Sequence, residues 1–297
     1  MSQYVKKIIT ACFILLLAIP FSGSAKSIKS IQYSQESPPL SVNKVKGTIY
    51  EVKGGSGANT GFYIGEKEVI VIDAKMNEKS AQAMLAEIKK LTSKPVQYVF
   101  ITHSDGDHVN GLKGFPKDIT VVSHHQARKD MDNAFKDDKL RSFLPDLTFS
   151  SKMKFHSSDN TIKLFHFGPA HTSCDIVIYF KKEKVAFLGD LIFLGRDPLI
   201  HRHKNGSFSG LLKTLKNILK LEAEYFLHGH GDMAKRSDIE KLLESLEEKQ
   251  AKIKELIQKN KTLDEIKEFF GLKDESSSGR RWPSIVEVIY EELTAEK

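Results

Sequence analysis

The stretch THSDGDHVN at 102–110 places His103, Asp105, Asp107 and His108 within six positions. Imidazole nitrogens and carboxylate oxygens suit zinc, iron and manganese, so a loop presenting four of them fits divalent-ion binding. The competing reading is a solvated polar turn capping a helix that begins near His108, because aspartate is a favourable N-cap. Capping uses one aspartate and explains neither histidine. More residues of these types stand where apolar runs give way to loops: Asp73 after VIVI, His171 after LFHFGPA, Asp190 after AFLG and His230 after FLHG. Open α/β sheets gather their loops beyond the strand ends, where such side chains can share one site.

The elements needed to position these loops follow from the hydrophobic pattern. Between Val45 and Ala74 the runs TIYEVKG, NTGFYIG and EVIVIDA, separated by glycine-containing turns, predict an antiparallel start. A helix-period segment from Asn77 to Leu91 leads into the strand VQYVFIT. ITVVS, TIKLFHF, DIVIYF and KVAFLGD read as further strands, 124–138 as a polar helical stretch, and SGLLKTLKNIL as a helix before EYFLHG. Strands that alternate with helices, beside others that follow one another, imply a mixed α/β sheet system with helices outside it.

Beyond Asp232 the pattern becomes helical. Ile239, Leu242, Leu243, Leu246, Ile253, Leu256 and Ile257 fall near one face, and TLDEIKEFFG opens on a threonine cap and closes on glycine. KDESSSGRR reads as an exposed linker before a last helix, Ser284 to Leu293. These helices are expected to cover the sheet or a neighbouring subunit, with a separate partner-binding module as the alternative.

At the other end, Lys6 and Lys7 precede the uncharged run IITACFILLLAIPF and then SGSA, the pattern of a cleaved export signal over residues 1–25. The apolar run is shorter than the roughly 20 residues a membrane-spanning helix needs. A secreted or periplasmic protein without a membrane anchor after cleavage is therefore expected. Cys12 falls inside the signal and leaves Cys174 alone, so the mature chain forms no internal disulfide. The net charge of +7 loses only Lys6 and Lys7 with the signal, and its charges alternate in sign along the chain. That supports solubility, and no nucleic-acid partner is expected; the expected partner is a small-molecule substrate.

With VIDA, THSDGDH, GPAHTSCD, FLGD and HGHG in this order over residues 45–231, the sequence resembles the metallo-β-lactamase-fold superfamily. GPAHTSCDIVIYF followed by VAFLGDLIF is similar to its secreted branch, in which H-T-x-x-D and G-D-L-x-F recur. The resemblance implies an αββα sandwich over residues 26–236, with a metal site at one edge and residues 237–297 as a helical extension packed on it. It also implies a first ion held by His103, the residue at 105 and His171, and a second held by Asp107, His108 and His230. Asp190 would bridge the two, and Asp73 would orient the histidine loop without binding metal.

The departure from the family is Asp105, where histidine is expected. An H-x-D-x-D-H pattern resembles a recurring variant, and flavodiiron proteins carry glutamate at the corresponding place. With two divalent ions and a bridging hydroxide, Asp105, Asp107 and Asp190 bring the site to neutrality, where histidine at 105 would leave +1. A less positive site acidifies water less, and a hard oxygen donor moves preference from zinc towards iron or manganese. Zinc is the expected ion, with iron or manganese admitted by Asp105. Three outcomes stay open: two ions with Asp105 as ligand, only the second position tightly filled, or a site for a metal other than zinc. Histidine at 105 is expected to raise zinc occupancy and move activity to lower pH.

The function implied is a secreted metallo-hydrolase, in which a metal-bound hydroxide attacks a carbonyl or phosphoryl centre and Asp107 and Asp190 take part in catalysis. Lactam, lactone, ester, thioester and phosphodiester substrates all fit. An iron-dependent oxidoreductase and a non-catalytic metal-binding protein are the rivals. In GRDPLIHRHKNGS, residues Arg196, His201, Arg202, His203 and Asn205 are candidates for substrate or oxyanion contact, against the alternative of an exposed loop. His228 reads as packed or hydrogen-bonded, Cys174 as a buried thiol, and His124, His125, His156 and His166 as ordinary surface or core histidines.

Overall fold

A computed structural model of the chain describes residues 38–157, 159–272 and 282–295. The signal reading at 1–25, with Cys12, and the linker reading for KDESSSGRR lie outside the described residues. Seven strands form the first sheet in sequence order: β1 (Ser41–Lys46), β2 (Ile49–Lys53), β3 (Thr60–Ile64), β4 (Val69–Ile72), β5 (Val96–Phe100), β6 (Thr120–His124) and β7 (Leu147–Phe149). Pairing is antiparallel from β1 to β4, as the short glycine-separated runs predict, and parallel from β4 to β7. The intervening helices are α1 (Glu78–Leu91), α2 (Gly106–Val109), α3 (His125–Ala134) and α4 (Asp138–Arg141).

The second sheet contains β8 (Lys152–His156), β9 (Thr161–Phe165), β10 (Val177–Phe180), β11 (Val185–Phe187) and β12 (Tyr225–Leu227), in the order β12-β11-β10-β9-β8. Helix α5 (Phe208–Ile218) joins β11 to its parallel neighbour β12, and α6 (Arg236–Gln258), α7 (Leu263–Phe269) and α8 (Ile285–Ala295) follow.

Period-two side-chain alternation explains the layering. In β4, Ile70 and Ile72 face the second sheet with Phe100, Leu164, Ile178 and Phe180, while Val69 and Val71 face Ala81, Met84 and Ile88 of α1. A strand covered on both faces needs a continuous apolar run, and VIVI supplies one. Across the sandwich, Leu227 joins the inter-sheet core, whereas Phe226 and Ala186 pack with Leu211 and Leu215 of α5, Ile239, Leu246 and Ile253 of α6, and Ile289 of α8. Helices, sheet, sheet and helices thus make the αββα sandwich. The C-terminal helices share one apolar core with the second sheet. Among the described residues no helix is long and apolar enough to cross a membrane.

The site lies beyond the C-terminal ends of β4, β5, β11 and β12, which deliver Asp73, His103, Asp190 and His230. Asp73 (φ 60°) and Lys75 (φ 70°) both take the left-handed conformation as the chain leaves β4. The Lys75 ammonium is buried and donates to the carbonyls of Val52 (3.3 Å), Gly54 (2.9 Å) and Ala58 (2.8 Å), which fixes the β2–β3 loop. Burial lowers its pKa to about 8. That loop reaches the HGHG segment through Asn59, whose backbone N–H donates to the Gly229 carbonyl at 2.6 Å and whose amide donates to that of Gly231 at 2.8 Å.

Candidate metal centre

Asp73 does not face the site itself; it sets the histidines that do. Its Oδ1 accepts from the Thr102 backbone N–H at 2.8 Å, and its Oδ2 accepts from Thr102 Oγ1 at 2.7 Å and from His108 Nδ1 at 2.8 Å. Thr102 Oγ1, having donated its proton, accepts from His103 Nδ1 at 3.1 Å. His171 Nδ1 donates to the Leu199 carbonyl at 2.7 Å. With the Nδ1 proton committed in each neutral ring, Nε2 is an open lone pair, which is what a metal requires of imidazole.

Those lone pairs meet carboxylates. His108 Nε2 lies 3.2 Å from Asp190 Oδ1, and His230 Nε2 lies 3.2 Å from Asp190 Oδ2 and 3.1 Å from Asp107 Oδ2. His171 Nε2 is 3.2 Å from Asp105 Oδ2, with His103 Nε2 at 3.6 Å. The buried atoms His103 Nε2, His108 Nε2 and Asp190 Oδ1 have no hydrogen-bond partner among the described residues. Lone pair facing lone pair is stable only with a cation between them, either a proton or a metal ion.

The ionisation of the site expresses the same demand. Burial opposes charge on His108, yet Asp190 and Asp73 raise its pKa well above the ordinary histidine value. His171 rises to about 9 against its burial through Asp105 and Asp190, and His230 to about 9 through Asp107 and Asp190. Asp190 and Asp105 are held well below the carboxylate range despite burial, the first by His108 and His230, the second by His103, His171 and His201. Among the described residues, three groups have donor atoms within 4.8 Å of one another: His103, His171 and Asp190; Asp107, His108 and His230; and Asp105, His171 and His201. The residues fit divalent ions, and the first two groups share no member.

Close backbone approach explains the glycines around these candidate ligands. A Cβ at Gly229 would lie 2.1 Å from Asp190 Oδ1, and one at Gly189 (φ +54°) would lie 2.6 Å from Thr102 Oγ1. The HGHG and FLGD motifs therefore need glycine beside Asp190, Thr102 and His108.

All seven ligand candidates converge here, and Asp73 occupies the orienting position. The loop after Asp190 sends some of its polar side chains to the cavity and others elsewhere. His201 is buried against Asp105, its Nε2 2.9 Å from Oδ2, and also borders the cavity. Asn205 adopts φ 54° at the end of a 3₁₀ turn (Arg202–Lys204) and does not line the cavity. Arg202 binds Glu292 of α8 and the Gly206 carbonyl. Arg196, His201 and His203 line the cavity.

Lys204, which residue type alone did not single out, lies 2.6 Å from Asp105 Oδ1 and supplies the positive charge that the substitution at 105 removes. An open cavity of about 530 Å³ fronts the site, bordered by Met76, Phe193, Leu199 and Trp282 as well as the charged groups. Phe193 stacks on His230 at 5.8 Å and carries the Arg196 guanidinium at 4.1 Å, and Trp282 stacks on His203 at 4.7 Å. The only sequence signal for Thr102 was its place next to His103, and for Trp282 there was none.

Outside the site, His228 Nε2 donates to the Asp232 carbonyl at 2.7 Å, and Cys174 is a buried thiol, as read. His124, His125 and His166 are closer companions than their sequence positions show. His124 stacks on His166 at 4.0 Å and tilts against His125 at 4.3 Å.

Relatives with this fold match the same region. Residues 54–230 match the family model of the metallo-beta-lactamase superfamily. The chain is 27% identical over 231 residues to a metallo-beta-lactamase type 2 of Elizabethkingia meningoseptica, covering 75% of this chain and 91% of the relative. It is 20% identical over 250 residues to a metallo-beta-lactamase type 2 of Bacillus cereus, covering 76% and 92%. In fold it is similar to a metallo-beta-lactamase from Pontibacter korlensis, with a TM-score of 0.61 and 18% identity over 70% of this chain and 99% of that one. Matched over more than half its length and built as an αββα sandwich around these motifs, the chain belongs to the metallo-beta-lactamase superfamily.

Proposed function

We propose that this chain is an exported hydrolase that holds two divalent ions and cleaves a small molecule at a carbonyl or phosphoryl centre. The observation that carries the reading is the convergence of histidine Nε2 lone pairs and Asp190 at the floor of an open cavity. His103, His171 and Asp190, with Asp105, would hold one ion; Asp107, His108 and His230, with Asp190, would hold the other. Divalent ions in such a site supply Lewis acidity and make water a stronger acid near neutral pH.

The protein's own contribution is orientation. Asp73 and Thr102 keep the histidine lone pairs inward, and Asp107, kept ionised by His230 despite burial, can accept a hydrogen bond from the attacking water. Arg196 favours a substrate with a negatively charged group, and Phe193, Leu199 and Trp282 favour an apolar body beside it. β-Lactams are among the substrates that fit, and the names of the bacterial relatives favour testing them first.

The test is a panel of lactams, lactones, esters, thioesters and phosphodiesters with protein reconstituted with zinc, manganese or iron. Turnover should appear with at least one class and fall by about 10²-fold or more in Asp107→Asn. No turnover on any class, with metal bound, contradicts the reading. Each donor group is two histidines and one aspartate, a set that iron also accepts, so oxygen consumption by the iron form is the outcome that would favour an oxidoreductase. Export rests on the residues 1–25 pattern; a mature N-terminus near Ala25 in protein recovered outside the cytoplasm checks it.

A further inference from the structure

We propose that His201 is a ligand of the first ion and stands in for the imidazole that Asp105 replaces. This rests on the two-ion reading above and extends its ligand set. Asp105 Oδ1 is taken by Lys204 at 2.6 Å, while Oδ2 faces His201 Nε2 at 2.9 Å, His171 Nε2 at 3.2 Å and His103 Nε2 at 3.6 Å. Three imidazole nitrogens thus surround one carboxylate oxygen.

His201 is built into this position. Its side chain is 7% exposed at the border of the cavity, and its Nδ1 has no hydrogen-bond partner among the described residues. Its backbone N–H donates to the His171 carbonyl at 2.8 Å, so the two ligand loops are tied at the residues that carry the rings. The His201 carbonyl accepts from Lys204 N–H at 2.9 Å and Gly206 N–H at 3.0 Å, which closes the turn that also aims Lys204 at Asp105. The ring packs edge-on against His171 at 4.5 Å and against Trp282 at 4.6 Å.

The chemical consequence is that the first position keeps three imidazoles, His103, His171 and His201, while Lys204 offsets the Asp105 charge. Both effects that would move the site from zinc towards harder metals are thereby reduced.

The test loads wild type, His201→Ala, His201→Gln and His203→Ala with cobalt(II), and counts the paramagnetically shifted imidazole N–H protons by NMR. Zinc affinity is measured beside this by competition with a chromophoric chelator. His201→Gln fills the space and can still donate to Asp105, so it guards against a loop collapse in the alanine variant. Both His201 variants should lose one shifted N–H resonance and bind one zinc about 100-fold or more weakly, beyond what an outer hydrogen-bond partner costs. His203→Ala, which lines the cavity, should keep every resonance. A full set of shifted resonances in the His201 variants, with or without weaker zinc binding, overturns the proposal alone. A wild-type protein that binds no ion overturns it together with the proposed function.

Discussion

Asp73 Oδ2 accepts from His108 Nδ1 at 2.8 Å and from Thr102 Oγ1 at 2.7 Å, so one buried carboxylate sets the tautomers of both His108 and His103. Asp73→Asn tests that role. Asparagine tolerates φ 60° and can still accept from Thr102 N–H, but its amide turns a donor towards His108. His108 must then place its proton on Nε2, where metal should bind. The variant is expected to fold and to lose about 10- to 100-fold in metal affinity, read by chelator competition. Wild-type affinity would remove Asp73 from the account.

Lys204 and Asp105 act as a pair. The sequence-level expectation that histidine at 105 alone raises zinc occupancy leaves out an ammonium 2.6 Å from Asp105. Asp105→His leaves Lys204 facing imidazoles and should bind zinc more weakly than wild type. Asp105→His combined with Lys204→Met should recover the loss. A double-mutant cycle on zinc affinity should give a coupling of about 1–3 kcal/mol; additive single effects would show that the two side chains are independent.

Cys174 is fully buried, and burial pushes its thiol up to about 12. At neutral pH it should resist iodoacetamide in the folded protein and react fully in denaturant, as read by peptide mass mapping. Rapid labelling of the native chain would contradict the packing described.

Burial, with His166 stacked against it, lowers His124 to about 4 from an ordinary 6.5. The unfolded chain binds this proton more readily. Stability from neutral His124 is therefore complete above pH 6.5 and is lost as pH falls towards 4. The loss is on the order of 3 kcal/mol. Urea unfolding of wild type and His124→Asn between these pH values should show the variant gaining relative stability as pH falls. A constant difference across that range would contradict the shift.

Asp73, His103, Asp107, His108, His171, Asp190 and His230 were legible in the sequence because metal donors are few in type and strand ends are easily recognised. The layers were legible too: VIVI is apolar on both faces because β4 lies between a helix layer and a second sheet. The balance of charge at 105 was not legible. Lys204 lies 99 residues from Asp105, and a lysine in a polar loop looks like any surface lysine until the loop is folded back. The turn from Arg202 to Lys204 likewise directs His201 inward, while local composition shows only a polar loop. Trp282 and the His124–His166 stack depend on contacts between distant segments, for which residue spacing holds no signal.

The central claim is a site for two divalent ions with Asp190 between them. Native mass spectrometry of the protein, reconstituted with zinc and desalted, tests it most directly. The account predicts two ions per wild-type chain and fewer in Asp190→Asn, whose amide cannot replace both carboxylate contacts. A wild-type chain that carries one ion or none, or an Asp190→Asn chain that keeps two with unchanged affinity, would contradict it.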